Sequence, residues 1–195
     1  MFNCVRVSRR IAVVTTVTVA AVTVAAWTLA VPAATSATLT LAAKSLPKCA
    51  ASDLGVWVAA DQSQGAAGTS YTPLEFTNLS HHTCTLYGFP GVSAISSAGQ
   101  QLGSPAAWDH AIKPSLVRLT PGATAYAILA YSNVITGNCP VASKRTAAQL
   151  RVYPPDQRQA DHAFWTATAC IAKGQSSFLR VRVIAPGIGV IGSVG

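Results

Sequence analysis

The chain has 195 residues, of which 50% are hydrophobic and only 10% are charged, and its formal net charge is +8. This length suits one domain with a short additional segment. The high apolar content and low charge exclude an intrinsically disordered chain. The composition also excludes a coiled coil, which takes about half its residues from Ala, Glu, Lys, Leu and Arg in a heptad pattern.

The N-terminal segment has the features of a secretory signal peptide. Residues 1–10 contain three arginines and no acid, residues 11–31 carry no charge, and small residues follow. A basic start, an apolar run and a small-residue cleavage zone are the three parts of such a signal. Small residues at the positions before the cut predict cleavage after Ala33 or Ala37.

The alternative for this segment is an uncleaved membrane anchor, because an uncharged run of 21 residues is long enough to span a bilayer. The run is rich in Ala and Thr rather than Leu and ends at Pro32, which favours cleavage. Lys48 precedes Cys49, which does not fit a lipoprotein signal. The predicted organisation is a signal peptide at 1–37, a short linker at 38–48, a β-sandwich domain at 49–187 and an apolar flexible tail at 188–195.

The charge that remains after cleavage is spread along the chain. Removing residues 1–37 takes three of the 14 Lys and Arg residues and none of the six acids, so the net charge falls to +5. Lys144 and Arg145 are then the only adjacent basic pair. Nucleic-acid binding requires charge concentrated on one face, usually with stacking aromatics. We therefore predict a solvated basic surface and no nucleic-acid partner.

Cysteine usage predicts two disulfides. Four of the five cysteines remain after Cys4 leaves with the signal peptide, and an even count in an exported chain indicates disulfides. Four cysteines allow three connectivities, of which we favour the sequential pairs Cys49–Cys84 and Cys139–Cys170 because each pair lies in its own half of the chain. No C-x-x-C motif supports a zinc site, and no cysteine is left over as a catalytic thiol.

The mature chain lacks helical periodicity and contains short β-rich runs between turn residues, a pattern typical of an all-β sandwich or barrel. Residues 97–99 predict a hairpin, and Pro121-Gly122 predicts a type II turn within a second hairpin. Residues 156–169 fit either one helical turn or an irregular loop. The predicted strands lie at 54–58, 72–79, 84–87, 92–96, 100–103, 116–119, 124–131, 150–153 and 178–184.

Several sequence blocks resemble a known family. They are CTLYGFPGV at 84–92, which is the most specific, FTNLS at 76–80, LTPGA at 119–123, NCP at 138–140 and LRVYPP at 150–155. Together with the cysteines they resemble domain-of-unknown-function family four-two-three-two, a group of exported actinobacterial domains, over about residues 49–187. The resemblance implies an immunoglobulin-like antiparallel β-sandwich with two disulfides, secreted or lipid-anchored. It implies no catalytic residue.

Two Asp-His pairs are the candidate catalytic or metal-binding residues. They are Asp109-His110 and Asp161-His162, and a carboxylate behind an imidazole can orient the ring. The motifs G-x-S-x-G and H-E-x-x-H are both absent from the sequence. We therefore predict no enzyme activity, no metal and no cofactor. The alternative is an envelope hydrolase or metal-dependent enzyme that uses the two pairs.

Aromatic residues supply a candidate binding patch, because Trp and Tyr are enriched at binding hot spots. Trp57 and Phe76 are instead predicted to fill the core. Residues 78–80 match an N-glycosylation sequon, but Asn78 lies at a strand end, where we expect its side chain to cap a turn. The predicted patch consists of Trp108, Phe164, Trp165, His110 and His162.

The predicted function is that of an exported, non-catalytic binding domain. The signal-like segment and the paired cysteines place it outside the cell or at the cell envelope, where its partner would be an envelope protein, glycan or lipid. Membrane attachment is expected only if the N-terminal segment remains uncleaved. In that case the protein would be a tethered ectodomain.

Overall fold

The computed structural model describes residues 45–132, 139–172 and 177–190. The predicted signal peptide at 1–37 and its hydrophobic helix lie outside these residues, as does most of the predicted linker. The described residues form strands and three short 3-10 turns, Ala51–Asp53, Ala60–Gln62 and Val141–Ser143. No helix in this part of the chain is long and apolar enough to cross a membrane.

Short strands separated by Gly, Pro and polar turns dominate the described chain, as the β-rich runs of the sequence predict. Thirteen strands are present: β1 Leu54–Val58, β2 Gln64–Ala66, β3 Thr69–Asn78, β4 Cys84–Tyr87, β5 Gly91–Ile95, β6 Gln101–Leu102, β7 Ala107–Asp109, β8 Leu116–Leu119, β9 Thr124–Ser132, β10 Lys144–Tyr153, β11 Asp161–Cys170, β12 Leu179–Arg182 and β13 Ala185–Pro186.

The strands form three sheets. The seven-stranded sheet has the order β1-β3-β9-β12-β7, with β13 also paired to β9 and β2 to β3. The four-stranded sheet has the order β11-β10-β5-β6, and β4 pairs with β8 in a two-stranded sheet. All of these pairings are antiparallel except that of β12 with β7, which is parallel. The edge strands β1 and β11 of the two larger sheets lie in contact with each other.

Alternation along the strands builds one hydrophobic core. Successive side chains of a strand point to opposite faces, so one face of each sheet can be buried. The buried cluster draws on all three sheets and includes Leu74 and Phe76 of β3, Leu86 of β4, and Leu150 and Val152 of β10. The predicted burial of Phe76 is therefore confirmed.

A ring contact joins the two larger sheets across this core. Tyr131 of β9 and Trp165 of β11 meet edge to face, with ring centroids 5.1 Å apart. Edge-to-face geometry is favoured because the positive edge of one ring meets the negative face of the other. The predicted all-β, antiparallel sandwich is thus confirmed, except for the parallel pairing of β12 with β7.

Both predicted disulfides are present with the sequential pairing. Cys49 bonds to Cys84 at the start of β4, and the backbone of the same N-terminal segment pairs with Thr85. Cys139 bonds to Cys170, the last residue of β11, and so closes the open end of the β10–β11 hairpin. The first bond is fully buried, whereas Cys139 is partly exposed.

One predicted hairpin is confirmed and the other is wrong. Strands β5 and β6 pair around residues 97–99 as predicted. The Pro121-Gly122 turn also forms, with a φ of 77° at Gly122 and a 2.9 Å hydrogen bond from the Ala123 N–H to the Thr120 carbonyl. The strands that flank it, however, belong to different sheets, since β8 pairs with β4 and β9 pairs with β3. The turn therefore carries the chain from one sheet to another.

Asn78 holds this turn in place. Its backbone N–H donates to the Ala123 carbonyl at 2.9 Å, and its own carbonyl accepts from the Gly122 N–H at 2.8 Å. The side chain is fully buried; its amide donates to the carbonyls of His82 and Leu119 at 2.8 and 3.1 Å. Its oxygen accepts from Ser80 through both the N–H and the hydroxyl group. The expected capping role of Asn78 is confirmed.

Residues 156–169 contain a long strand that the sequence interpretation missed. Strand β11 begins at Asp161, where a helical turn or a loop was expected, and it pairs with β10 over most of its length. Trp57 of β1 is a second correction, because it is 41% exposed rather than buried in the core. It lies opposite Glu75 on the outward face of the seven-stranded sheet, since its neighbours Val56 and Val58 face inward.

Residues 187–190 cross that outward face, and we call them the C-terminal strap; they are the last residue of the predicted domain and the first three of the predicted tail. The Gly189 N–H donates to the Glu75 carboxylate at 3.1 Å, and Glu75 is buried beneath it. The backbone of Gly189 lies directly against Pro73 and Tyr126. Residues 191–195 of the predicted tail lie outside the described residues.

Gly189→Ala is expected to displace the strap. A methyl group at this position would overlap the Pro73 ring and lie 3.0 Å from Cδ2 of Tyr126, with no flexible side-chain end to move aside. Overpacking of this kind lowers the free energy of unfolding by about 1–3 kcal/mol. Urea denaturation measures the change. The matched control is Gly65→Ala, whose nearest neighbour is a carbonyl oxygen at 4.0 Å. Equal losses in the two variants would contradict close packing of the strap.

Candidate functional site

Three aromatic rings meet at the surface, and we call Phe89, Trp108 and His110 the aromatic cluster. Phe89 and Trp108 stack with centroids 5.3 Å apart and an interplanar angle of 14°. His110 meets Phe89 edge-on at 4.8 Å and Trp108 at 6.3 Å. Trp108 nevertheless remains 55% exposed. The cluster therefore presents a large aromatic face to solvent while its orientation is held by two neighbours.

Backbone contacts position Trp108 and Phe89. Trp108 lies in the three-residue strand β7, which pairs in parallel with β12 so that it stands opposite Val181. Phe89 follows β4 through Gly88, whose φ of 100° is a conformation that favours glycine. The Gly88 carbonyl accepts a 3.0 Å hydrogen bond from the Ile184 N–H. The cluster is thus anchored to the end of β12 at two points.

Asp109 points to the other side of β7 from the cluster. Its carboxylate forms an ion pair with Nε of Arg182 at 3.4 Å and accepts a 3.1 Å hydrogen bond from the Ala111 N–H. These two contacts hold the loop that follows β7. The carboxylate is therefore directed at Arg182 and the backbone rather than at the imidazole of His110.

The other predicted patch residues lie on the four-stranded sheet. His162 stands opposite Arg151, and Phe164 stands opposite Gln149, on the solvent face of β11. Phe164 is 83% exposed. These two side chains belong to a different sheet from Trp108, so the predicted patch divides into two groups.

Trp165 is a correction, because it is only 5% exposed and packs on Tyr131 in the core. The physical reason is strand alternation: once residues 161–170 form a strand, Phe164 and Trp165 must face opposite sides. Trp165 therefore contributes to the packing of the sandwich and takes no part in a surface patch.

In the second Asp-His pair, the aspartate carboxylate bonds to the backbone of the histidine. The carboxylate of Asp161 accepts a 2.7 Å hydrogen bond from the backbone N–H of His162. His162 lies in β11, whereas His110 follows β7 in the other large sheet. Across the described residues, no three His, Cys, Asp or Glu side chains lie close enough together to hold a metal ion.

Phe89 is the member of the cluster that the sequence interpretation missed. It lies between Gly88 and Pro90-Gly91, a run of turn residues that predicts only the end of a strand. One signal was available: Phe89 is an aromatic residue within a turn, so it does not belong to the buried face of a strand. The structure shows that this residue supports Trp108 instead.

Comparison with known families identifies one that covers most of the chain. The family model of a domain of unknown function, DUF4232, matches residues 49–184. The chain belongs to the DUF4232 family. The matched DUF4232 region contains both disulfides and the aromatic cluster, whereas β13 and the C-terminal strap lie beyond it. No curated protein matches the chain.

Proposed function

We propose that this DUF4232 protein is an exported, non-catalytic domain that recognises a component of the cell envelope through its aromatic cluster. The observation that carries the proposal is the half-exposed Trp108, which Phe89 and His110 hold in one orientation. Ordering a side chain on binding costs conformational entropy, and a ring that is already ordered loses less. Buried aromatic anchors also dominate the energetics of many interfaces.

The export part of the proposal is supported by the cysteines. Disulfides persist in oxidising compartments and are rare in the cytosol. Both bonds are formed here, and the sequence begins with a basic, apolar segment of signal-peptide type. The non-catalytic part is supported by the carboxylates of Asp109 and Asp161, which are directed at Arg182 and at backbone N–H groups.

Trp108→Ala is expected to weaken capture of the envelope partner at least about tenfold, the loss typical of an interface hot spot. The oxidised protein, its Trp108→Ala variant and a Phe164→Ala variant are immobilised, and a cell-envelope extract is passed over each. Phe164→Ala is the matched control because it removes an even more exposed aromatic ring from the other sheet.

A component retained by the wild-type and Phe164→Ala proteins, and lost with Trp108→Ala, supports the proposal. Equal retention by all three proteins, or no retention by any, contradicts it. Export is measured separately on the same material. N-terminal sequencing should find a mature start at Ala34 or Thr38, and mass spectrometry should find no free thiol; an intact Met1 in protein from the medium would contradict cleavage.

A further inference from the structure

A groove crosses the outward face of the seven-stranded sheet, and we call it the outer groove. It lies between the loop after β7 and strands β9, β12 and β13, and has a volume of about 190 Å³. It is on the opposite side of β7 from the aromatic cluster, because Asp109 and Trp108 point to opposite sides of that strand. Its main lining residues are Ile112, Lys113, Tyr126, Ile128, Arg182 and Val183.

A β-bulge forms the floor of the outer groove. Val181 pairs with Leu129, and Ala185 pairs with Tyr126, so the three residues 182–184 oppose the two residues 127–128. An extra residue in one strand re-aims the side chains around it. As a result Ile184 turns into the core, while Val183 is buried on the outward face, outside the main hydrophobic cluster.

The apolar part of the groove has the size of one side chain. Its floor is formed by Ile128 and Val183, and Ile112 closes one wall. A cavity of about 150 Å³ in another protein holds one benzene molecule. The outer groove, at about 190 Å³, therefore has room for a branched aliphatic or small aromatic group and too little volume to enclose a long acyl chain.

The rim of the groove carries positive charge and uncommitted donors. Asp109 bonds to Nε of Arg182 and so fixes the orientation of the guanidinium, while no described residue forms a hydrogen bond with its two terminal nitrogens. Lys113 has no carboxylate partner among the described residues. The hydroxyl groups of Ser115 and Tyr126 likewise have no hydrogen-bond partner within the described ranges.

We infer that the outer groove binds the C-terminal carboxylate of a peptide whose last side chain is apolar. A guanidinium presents two parallel N–H donors that match a carboxylate, and such charge-assisted bonds are stronger than neutral ones. The apolar side chain of the last residue would occupy the floor. The amide of a peptide is neutral, so it adds no positive charge to the Lys113 and Arg182 that line the groove, whereas the ammonium group of a free amino acid would add one.

The probe is N-acetyl-Ala-Ala-Leu, compared with the same peptide as its C-terminal amide. Methyl NMR on the oxidised protein follows the methyl groups of Ile112, Ile128 and Val183, which line the groove. The free carboxylate peptide is expected to shift these signals, and the amide to bind at least about tenfold more weakly, since it loses the charge-assisted bonds. Equal binding of acid and amide, or shifts confined to other methyl groups, would overturn the inference.

Variants identify the cations that hold the carboxylate. Arg182→Gln and Lys113→Gln are each expected to weaken binding about tenfold. Lys113 is an exposed loop residue, so its replacement tests the rim even if loss of the Asp109 ion pair destabilises the Arg182 variant. Arg180→Gln is the matched control, because Arg180 lies on the same strand but does not line the groove.

Two further measurements distinguish a peptide site in the outer groove from binding at the aromatic cluster and from a pocket for free acids. Trp108→Ala should leave peptide binding unchanged, so failure of the outer groove and failure of the aromatic cluster are distinguishable. The small acid 4-methylpentanoate has the same side chain and carboxylate without the peptide. If it binds as tightly as the peptide, the ligand is a free acid and the peptide assignment is wrong.

Discussion

Replacing both Cys49 and Cys84 by alanine is expected to lower the free energy of unfolding by about 4 kcal/mol. The bond closes a loop with a sequence separation of 35, so without it the unfolded chain gains conformational freedom. Both sulfurs are also fully buried within the hydrophobic cluster, so their removal leaves space in the core. Urea denaturation under oxidising conditions measures the change.

The matched control is the alanine variant of the pair Cys139 and Cys170. Its sequence separation is 31, so the stabilisation from restricting the unfolded chain is nearly the same, about 4 kcal/mol. Cys139 is partly exposed, however, and less packing is lost there. The first variant is therefore expected to be the less stable of the two. A greater loss for the Cys139–Cys170 variant would contradict the contribution of burial.

Asn78→Ala is expected to lower the free energy of unfolding by about 3 kcal/mol, because it removes the buried amide and breaks one buried and several partly buried hydrogen bonds. The carbonyls of His82 and Leu119 each lose the donor that the Asn78 amide supplies, and the Ser80 N–H loses its acceptor. The backbone of Asn78 also clamps the Pro121-Gly122 turn, so the loss extends to the crossing between two sheets. Thermal and urea unfolding both report this change.

Two further variants separate the hydrogen bonds of Asn78. Ser80→Ala removes one hydroxyl donor near the surface and is expected to cost about 1 kcal/mol. Asn78→Asp retains the acceptor for Ser80 but removes both donors to the carbonyls, so its loss should be close to that of Asn78→Ala. If Asn78→Asp were as stable as the wild type, the two amide donors would not contribute as described.

Local signals in the sequence were sufficient for most of the strands. Leu74 and Phe76 alternate with Glu75 and Thr77, and this period identifies a strand with one buried face. The turn chemistry of Pro121-Gly122 was also predicted, because φ preferences act within four residues. The pairing of the flanking strands could not be predicted from local signals, because the same turn can join neighbouring strands or cross between sheets. That choice depends on contacts with β3, which is distant in sequence.

Strand β11 was missed because alanines occupy inward positions on both sides of Trp165, at Ala163 and Ala169. His162, Phe164 and Thr166 face solvent, while Ala163 and Trp165 face the core. Alanine is too weak an apolar signal to mark a buried face, and the exposed Phe164 obscures the alternation.

The site was predicted in part. Trp108 and His110 were identified as candidates, but the sequence contains no indication that Phe89 packs against both of them. Phe89 and Trp108 are far apart in the chain, and the fold brings them together through the Gly88 contact with Ile184. Grouping Phe164 with Trp165 was wrong because neighbours in sequence diverge in a strand. The outer groove depends on a register shift between β12 and β13, which only the pairing reveals.

The contact between β1 and β11 has a consequence for solubility. An edge strand presents unpaired backbone groups that can recruit a strand from another molecule, and long edges carry the greatest risk of aggregation. At ten residues, β11 is such an edge, but β1 of the opposite sheet lies against it. At the far end of the seven-stranded sheet the edge is β7, which is only three residues long. At these two edges, the described residues therefore leave little backbone for another copy to extend, which lowers the risk of self-association there.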